Sequence, residues 1–276
     1  MLSLLKTLFI FFCLMMPIFA RAEWVVLPES KHQLFETFGL YIDEQSMILL
    51  RDSGRAWAAI GGSLGLLGNE ELPLKPQLVI HGSANAAFQI NQRGDTLLTQ
   101  TVDARLGLAI DLQFDESFRG NVTWTHQSGH VADNVPDLDL FGSNLGNEII
   151  DFRVVKDLQS KIRVGGGIRP TVGSDPGMIV FGEEQFVEYF PFEEGANPHE
   201  FKPYIACGFE EYGRGTIQFS SNFQIGYAAG SHFRKERHSS LRAVLGYYTG
   251  NDPRLKYYQF KHSRLGFAYA GLAFDL

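Results

Sequence analysis

The chain has 276 residues, 45% of them apolar and 13% aromatic, with a formal charge of −7; that length is ample for one domain with a large apolar surface. An acidic balance argues against a nucleic-acid partner and offers no basic patch for anionic headgroups. Of the two cysteines, Cys13 falls in a leader and Cys207 stands alone, so no internal disulfide is expected.

Residues 1–22, MLSLLKTLFIFFCLMMPIFARA, predict a signal peptide: Lys6, an apolar core from Leu8 to Phe19, and Ala20-Arg21-Ala22 as a small-x-small cleavage site. The apolar run is short for a membrane helix of ~20 residues. Cleavage leaves a chain that starts at Glu23, and removal of Lys6 and Arg21 takes the charge from −7 to −9. Cys13 lacks the small residues of a lipoprotein box before it. Beyond the leader no fifteen consecutive residues are apolar, which argues against helical spans.

Instead, segment after segment of the mature chain alternates with a period of two. In chain order, strands are expected near 38–42 or one further on, 56–67, 77–91, 97–114, 118–128, 147–156, 160–169, 177–187, 203–212, 215–229, 239–250 and 263–275. In the third, Leu78, Ile80, Gly82, Ala84, Ala86, Phe88 and Ile90 alternate with His81, Ser83, Asn85 and Gln89. In the fourth, Val102, Ala104, Leu106, Leu108 and Ile110 alternate with Thr101, Asp103, Arg105 and Asp111. Near the end, Phe219, Phe223, Ile225 and Tyr227 oppose Ser220, Asn222 and Gln224. Each such strand has one oily and one wet face.

A soluble sheet and a lipid-embedded barrel both satisfy that pattern. Length separates them: alternation up to Phe114 runs far beyond the ~5 to 6 residues of a soluble strand. The final row, Gly266, Ala268, Ala270, Leu272, Phe274 and Leu276, shares one face to the last residue. It looks like the C-terminal signal of bacterial outer-membrane assembly, with Leu276 in place of the usual terminal aromatic. The expected fold is therefore an all-β antiparallel transmembrane barrel of about twelve strands, between 10 and 14. No linker divides residues 23–276, so they are read as one domain.

With the last strand ending in the periplasm, the strand at 118–128 runs outward and the segment Gly129 to Gly146 faces the exterior. On that strand Phe118, Gly120, Val122 and Trp124 form the oily row, which His126 and Ser128 continue. The two lie about 6.6 Å apart along the strand, facing lipid. A histidine base beside a serine hydroxyl is how a nucleophile is activated. Glu148, on the oily row of the next strand, is placed to orient the histidine, the third role of a triad.

His126-Gln127-Ser128 with an acid on the following strand resembles the lipid A 3-O-deacylase family and, more loosely, outer-membrane phospholipase A. That resemblance implies ester cleavage from a lipid-facing site, although the asparagine and glycine signatures after the serine are missing. Over most of the chain HQSGHVADN, YYTGNDP and LGFAYAGLAFDL resemble a family of Gram-negative outer-membrane proteins with no assigned activity.

The bare H-x-S spacing recurs at His81 to Ser83 and His238 to Ser240, the first read as lumen-facing and the second as a turn. His130, Asp133, Asp137 and Asp139 offer nitrogen and oxygen ligands for a metal, at no recognised spacing. No cofactor is expected. Trp57, Trp124, Tyr189, Tyr204, Tyr247 and Tyr257 are read as interfacial belt aromatics. Gly165-Gly166-Gly167 reads as a bend or a close strand approach, since no helix follows to make a phosphate loop. Asp103, Arg105, Asp111, Arg153, Lys161 and Arg163 are expected in the lumen, either tuning a pore or pairing across a plugged interior.

Two function classes remain. The favoured one is a non-enzymatic barrel with an envelope, narrow-channel or surface role. The other is a lipid esterase using Ser128, His126 and Glu148. The partners expected are outer-membrane lipids and, during insertion, the barrel assembly machinery.

Overall fold

The structure is a computed structural model; it describes residues 23–28, 46–51, 54–90, 97–131, 144–159, 161–175, 181–191, 201–213, 217–229, 240–251 and 265–275. Thirteen strands succeed one another: β1 (Val25–Val26), β2 (Ser46–Arg51), β3 (Arg55–Gly68), β4 (Gln77–Ile90), β5 (Leu97–Gln113), β6 (Phe118–Val131), β7 (Asn144–Leu158), β8 (Ile162–Asp175), β9 (Phe181–Tyr189), β10 (Lys202–Gly213), β11 (Ile217–Ala229), β12 (Ser240–Gly250) and β13 (Leu265–Asp275). From β2 to β13 each strand pairs antiparallel with the next, and β13 pairs back onto β2, closing a barrel of twelve strands. Closure leaves no strand edge unpaired, which lipid demands of a spanning sheet. The two-residue β1 lies outside this ring and pairs with the tail of β3, at Gly68 and Leu67.

The barrel is inverted relative to a soluble protein. Along β5, Val102, Leu106, Leu108 and Ile110 are exposed, whereas Thr101, Asp103, Arg105 and Asp111 are buried inside. The same inversion holds along β4 and β11, as the alternation predicts, and β13 likewise turns its row Ala268, Ala270, Leu272 and Phe274 outward. An apolar outer wall of this extent is unfavourable in water and favourable in a bilayer.

Inside, the wall divides in two. From β5 to β10 it is charged and polar: Arg105, Asp151, Arg153, Arg163, Arg169, Glu184, Glu188 and Glu210 are all buried. From β12 through β13 to β4 it carries one apolar cluster, Met47, Leu49, Trp57, Ala59, Ala87, Val244, Tyr248, Phe267, Tyr269 and Ala273, flanked by buried Arg242 on β12 and by Gln77, His81 and Ser83 on β4. This corrects the belt assignment of Trp57 and Tyr204, which are buried on the inner face, while Trp124, Tyr189 and Tyr247 do face outward. Alternation equates apolar with outward, and that equation fails where the interior itself is aromatic. Tyr257 lies outside the described residues, as do the leader 1–22 and the strand expected at 38–42.

Other boundaries shift. The strand expected at 160–169 continues to Asp175, and the one expected at 177–187 is described from Phe181. Gly165, Gly166 and Gly167 lie within β8. A Cβ on Gly165 would sit 2.3 Å from the Phe186 ring, and one on Gly167 2.8 Å from Arg153 Cγ, so these glycines make room for inward side chains of neighbouring strands. Lys161 is not on an inward row; it sits in the turn between β7 and β8, its backbone N–H donating to Leu158 O.

Candidate functional site on the lipid-facing wall

β6 is flanked by β5 and β7, and the register aligns three outward residues at one level: Leu106, His126 and Glu148. One pleat along, Ala104, Ser128 and Gly146 align. Strand alternation sets the faces, since Thr123, Thr125 and Gln127 between them are buried inside.

The His126 Nδ1 to Glu148 Oε1 distance is 2.7 Å, and both side chains are open to the outside, at 49% and 36% exposure. A carboxylate only accepts, so Nδ1 carries the hydrogen, and in the neutral imidazole Nε2 is then the acceptor. That is the tautomer a general base needs. Glu148 faces outward by the plain alternation of β7, between buried Asn147 and Ile149; the register shift beside it leaves Val172 of β8 as the extra residue. The β8 partner of Glu148 is Gly173, where a Cβ would lie 3.3 Å from Glu148 Cγ. The second carboxylate oxygen, Oε2, is shielded and has no hydrogen-bond partner.

Ser128 continues the row, and its cross-strand neighbours are small. A Cβ built on Gly146 meets nothing within 4 Å, so the wall is open beside the hydroxyl. Among the described residues no hydrogen bond joins Ser128 to His126; the histidine's partner is Glu148. The pair of residues that sequence reading placed on adjacent strands is thus brought into contact, and the serine shares their wall without being bonded to them. The other triplets differ: His81 and Ser83 are buried in the interior, and His238 lies outside the described residues.

Of the metal ligands proposed from sequence, His130 is outward and exposed near the end of β6, while Asp133, Asp137 and Asp139 lie outside the described residues. Among the described residues no group of three or more His, Cys, Asp or Glu is placed to hold a metal ion.

The interior charges pair with one another. Arg153 Nε lies 2.7 Å from Glu184 Oε1. Arg169 donates from Nε to Asp151 Oδ1 at 2.5 Å and from Nη2 to Glu184 Oε2 at 2.9 Å. Arg163, fully buried, donates from Nε to Asp157 Oδ1 at 2.8 Å and from Nη1 to Glu188 Oε2 at 3.5 Å. Asp157 also takes the Arg119 guanidinium. Sequence reading named Arg153 and Arg163 but missed Arg169, Asp151, Glu184 and Glu188. Parity was the available signal, because Arg169 lies an even number of residues beyond Arg163 on one strand.

Comparison with solved structures places the chain among outer-membrane-type barrels. It is similar to the outer membrane phospholipase dimer with bound calcium from Salmonella typhi, at 12% identity over 90% of this chain and 94% of that one, with a TM-score of 0.54. It is similar to outer membrane phospholipase A from Escherichia coli at 10% identity, over 90% of this chain and 95% of that one, with a TM-score of 0.51. A further similarity is to the KdgM porin, at 9% identity over 84% of this chain and 98% of that one, with a TM-score of 0.48. At such identities the likeness is one of fold. No curated protein matches the chain. Residues 109–272 match the family described as "Protein of unknown function (DUF1207)", and the chain, an outer-membrane-type β-barrel of unassigned function, belongs to that family.

Proposed function

We propose that the protein is an integral barrel of a Gram-negative outer membrane, exported through a cleaved signal peptide, whose interior is closed and whose working surface is the lipid-facing wall. The observation that carries this reading is the buried, ion-paired interior. A guanidinium bordering an aqueous pore keeps water on one side, whereas Arg163 has no solvent-exposed surface and Arg105, Arg153 and Arg169 have little. The aromatic cluster on the opposite inner wall adds bulk where a channel needs space. The role is then one exercised toward surrounding lipid or the cell surface rather than through a conduit. Purified protein in liposomes is expected to give no swelling with a pentose; swelling at porin-like rates would refute the reading.

A second reading, favoured by the 2.7 Å bond between His126 and Glu148, gives that wall a reaction: hydrolysis of a lipid acyl ester. Ser128 Oγ attacks the ester carbonyl carbon while His126 Nε2 takes its proton. Collapse of the tetrahedral intermediate releases the alcohol, which leaves with that proton. Water then cleaves the acyl-serine by the same steps in reverse. Glu148 holds the imidazole tautomer and balances the imidazolium. Ser128 and His126 close to hydrogen-bond reach on substrate binding, as such pairs do. The fold is compatible, being shared with outer membrane phospholipases. Mass spectrometry of lipid A and phospholipids from cells expressing the wild type or Ser128→Ala is the test. Loss of an acyl chain with the wild type alone is expected, and identical profiles would dismiss the reaction.

A further inference from the structure

Val25, Val26 and Leu27 are three consecutive apolar residues at 52%, 72% and 63% exposure. Such a run is unfavourable in water and marks a surface that something apolar covers. The segment is held in place. The Glu23 carbonyl accepts from Asn69 Nδ2 at 2.6 Å, and Asn69 Oδ1 in turn accepts from the backbone N–H groups of Glu71 and Leu72, at 2.9 Å each, so the turn between β3 and β4 grips it. Val25 and Val26 pair with Gly68 and Leu67, and the Leu27 N–H donates to Leu66 O at 3.1 Å.

Register fixes where Val26 points, because residues directly opposite in a ladder share a face. Val26 stands opposite Leu67, Leu67 opposite Leu78, Leu78 opposite Ile110, Ile110 opposite Val122 and Val122 opposite Phe152. From Leu78 to Phe152 this is an exposed row of the outer wall. Val26 therefore extends that row onto β1, beyond the ring of twelve strands. The chain leaves the face at once. Leu27 takes φ 52°, a left-handed value uncommon outside glycine, and Pro28 packs on the other side of β3, where a Cβ built on Gly65 or Gly68 would lie 3.3 or 3.1 Å from Pro28 Cγ. Those glycines are inner positions, opposite buried Val79 and Gln77. Val26 is thus on the outer side of the wall and Pro28 on the lumen side, with the left-handed Leu27 making the crossing.

We infer that β1 is a lipid-contact element, with Val26 and Leu27 lying against acyl chains of the periplasmic leaflet. The inference rests on the membrane reading proposed above and adds to it a segment outside the closed barrel. The occupant is lipid because the face continues the lipid-facing row without a break. The leaflet follows from the connections: β1 pairs beside the short β3–β4 turn, and short turns lie on the periplasmic side of such barrels. Seated in this way, the segment from Glu23 to Pro28 is fixed to the membrane surface instead of hanging free below the barrel.

The full chain, purified from outer membranes and reconstituted in phosphatidylcholine vesicles, is irradiated with a trace of phosphatidylcholine that carries a diazirine in its acyl chain. Adducts are mapped by mass spectrometry. Labelling is expected on residues 23–28 of the wild-type chain as well as on the outer rows of β4 and β5. Val26→Asp, which sets a carboxylate against the acyl chains, should cut the labelling of residues 23–28 several-fold and leave β4 and β5 unchanged. Labelled β4 and β5 beside unlabelled residues 23–28, or labelling of that segment indifferent to Val26→Asp, would overturn the inference while the membrane reading stands. Absence of adducts from β4 and β5 as well would overturn both.

Discussion

His126 on β6 and Glu148 on β7 stand directly opposite across an antiparallel ladder, and the imidazole Nδ1 lies 2.7 Å from the carboxylate. A single-residue slip between β6 and β7 would turn one of them inward. Glu148→Gln keeps the shape and loses the charge that favours this tautomer. If the wall hydrolyses esters, the variant is expected to lower kcat by about 10²-fold or more, with little change in KM. The ¹⁵N shifts of His126 should also move away from the Nδ1–H form. An unchanged rate in an otherwise active protein would remove Glu148 from the reaction.

Arg163 is the most deeply enclosed cation, set between Asp157 and Glu188. Arg163→Met withdraws the guanidinium from the buried Glu188 carboxylate and is expected to cost about 3–5 kcal/mol. Urea unfolding of the refolded barrel in lipid vesicles measures it. Adding Glu188→Gln should recover part of the loss, and full additivity of the two changes would contradict the pairing.

Gly165 faces the Phe186 ring across the β8–β9 ladder. Gly165→Ala is expected to destabilise by about 1–3 kcal/mol through overpacking, and Phe186→Leu in the same chain should restore part of it. Thermal loss of the compact band in electrophoresis provides the measurement.

In the turn between β5 and β6, Asp115 accepts from the Ser117 side chain at 2.8 Å and backbone at 2.7 Å, and Lys156 Nζ lies 3.1 Å away. The Ser117 bonds first, then Lys156, hold its carboxyl well below the ordinary 3.8. A lowered folded value means that the contribution is complete above the unfolded value and lost as pH falls through the folded one. The stability gap between wild type and Asp115→Asn should therefore be constant near neutrality and shrink only in strong acid. A gap that closes already at about pH 6 to 7, as for a histidine, would exclude this origin.

Much of the fold was legible because lipid imposes alternation on every strand: the outward rows of β4, β5, β11 and β13 come directly from period two. The same logic brought His126 and Glu148 to one face; that they stand directly opposite is set by the β6–β7 register. It failed for Trp57 and Tyr204, whose inward faces pack against other aromatics, because hydropathy does not distinguish an apolar interior from lipid. The gap between Ser128 and His126 was illegible for another reason. Side-chain torsions within one row decide it, and spacing along a strand does not encode them. The extra residue at Val172 and the extension of β8 to Asp175 likewise depend on cross-strand register rather than on local pattern.

Single-channel recording in planar bilayers tests the closed interior most directly. The wild-type barrel, inserted and folded, is expected to give no stable conductance steps across the working voltage range. Reproducible ohmic steps from the wild-type protein would contradict the closed interior proposed from the buried, ion-paired Arg163.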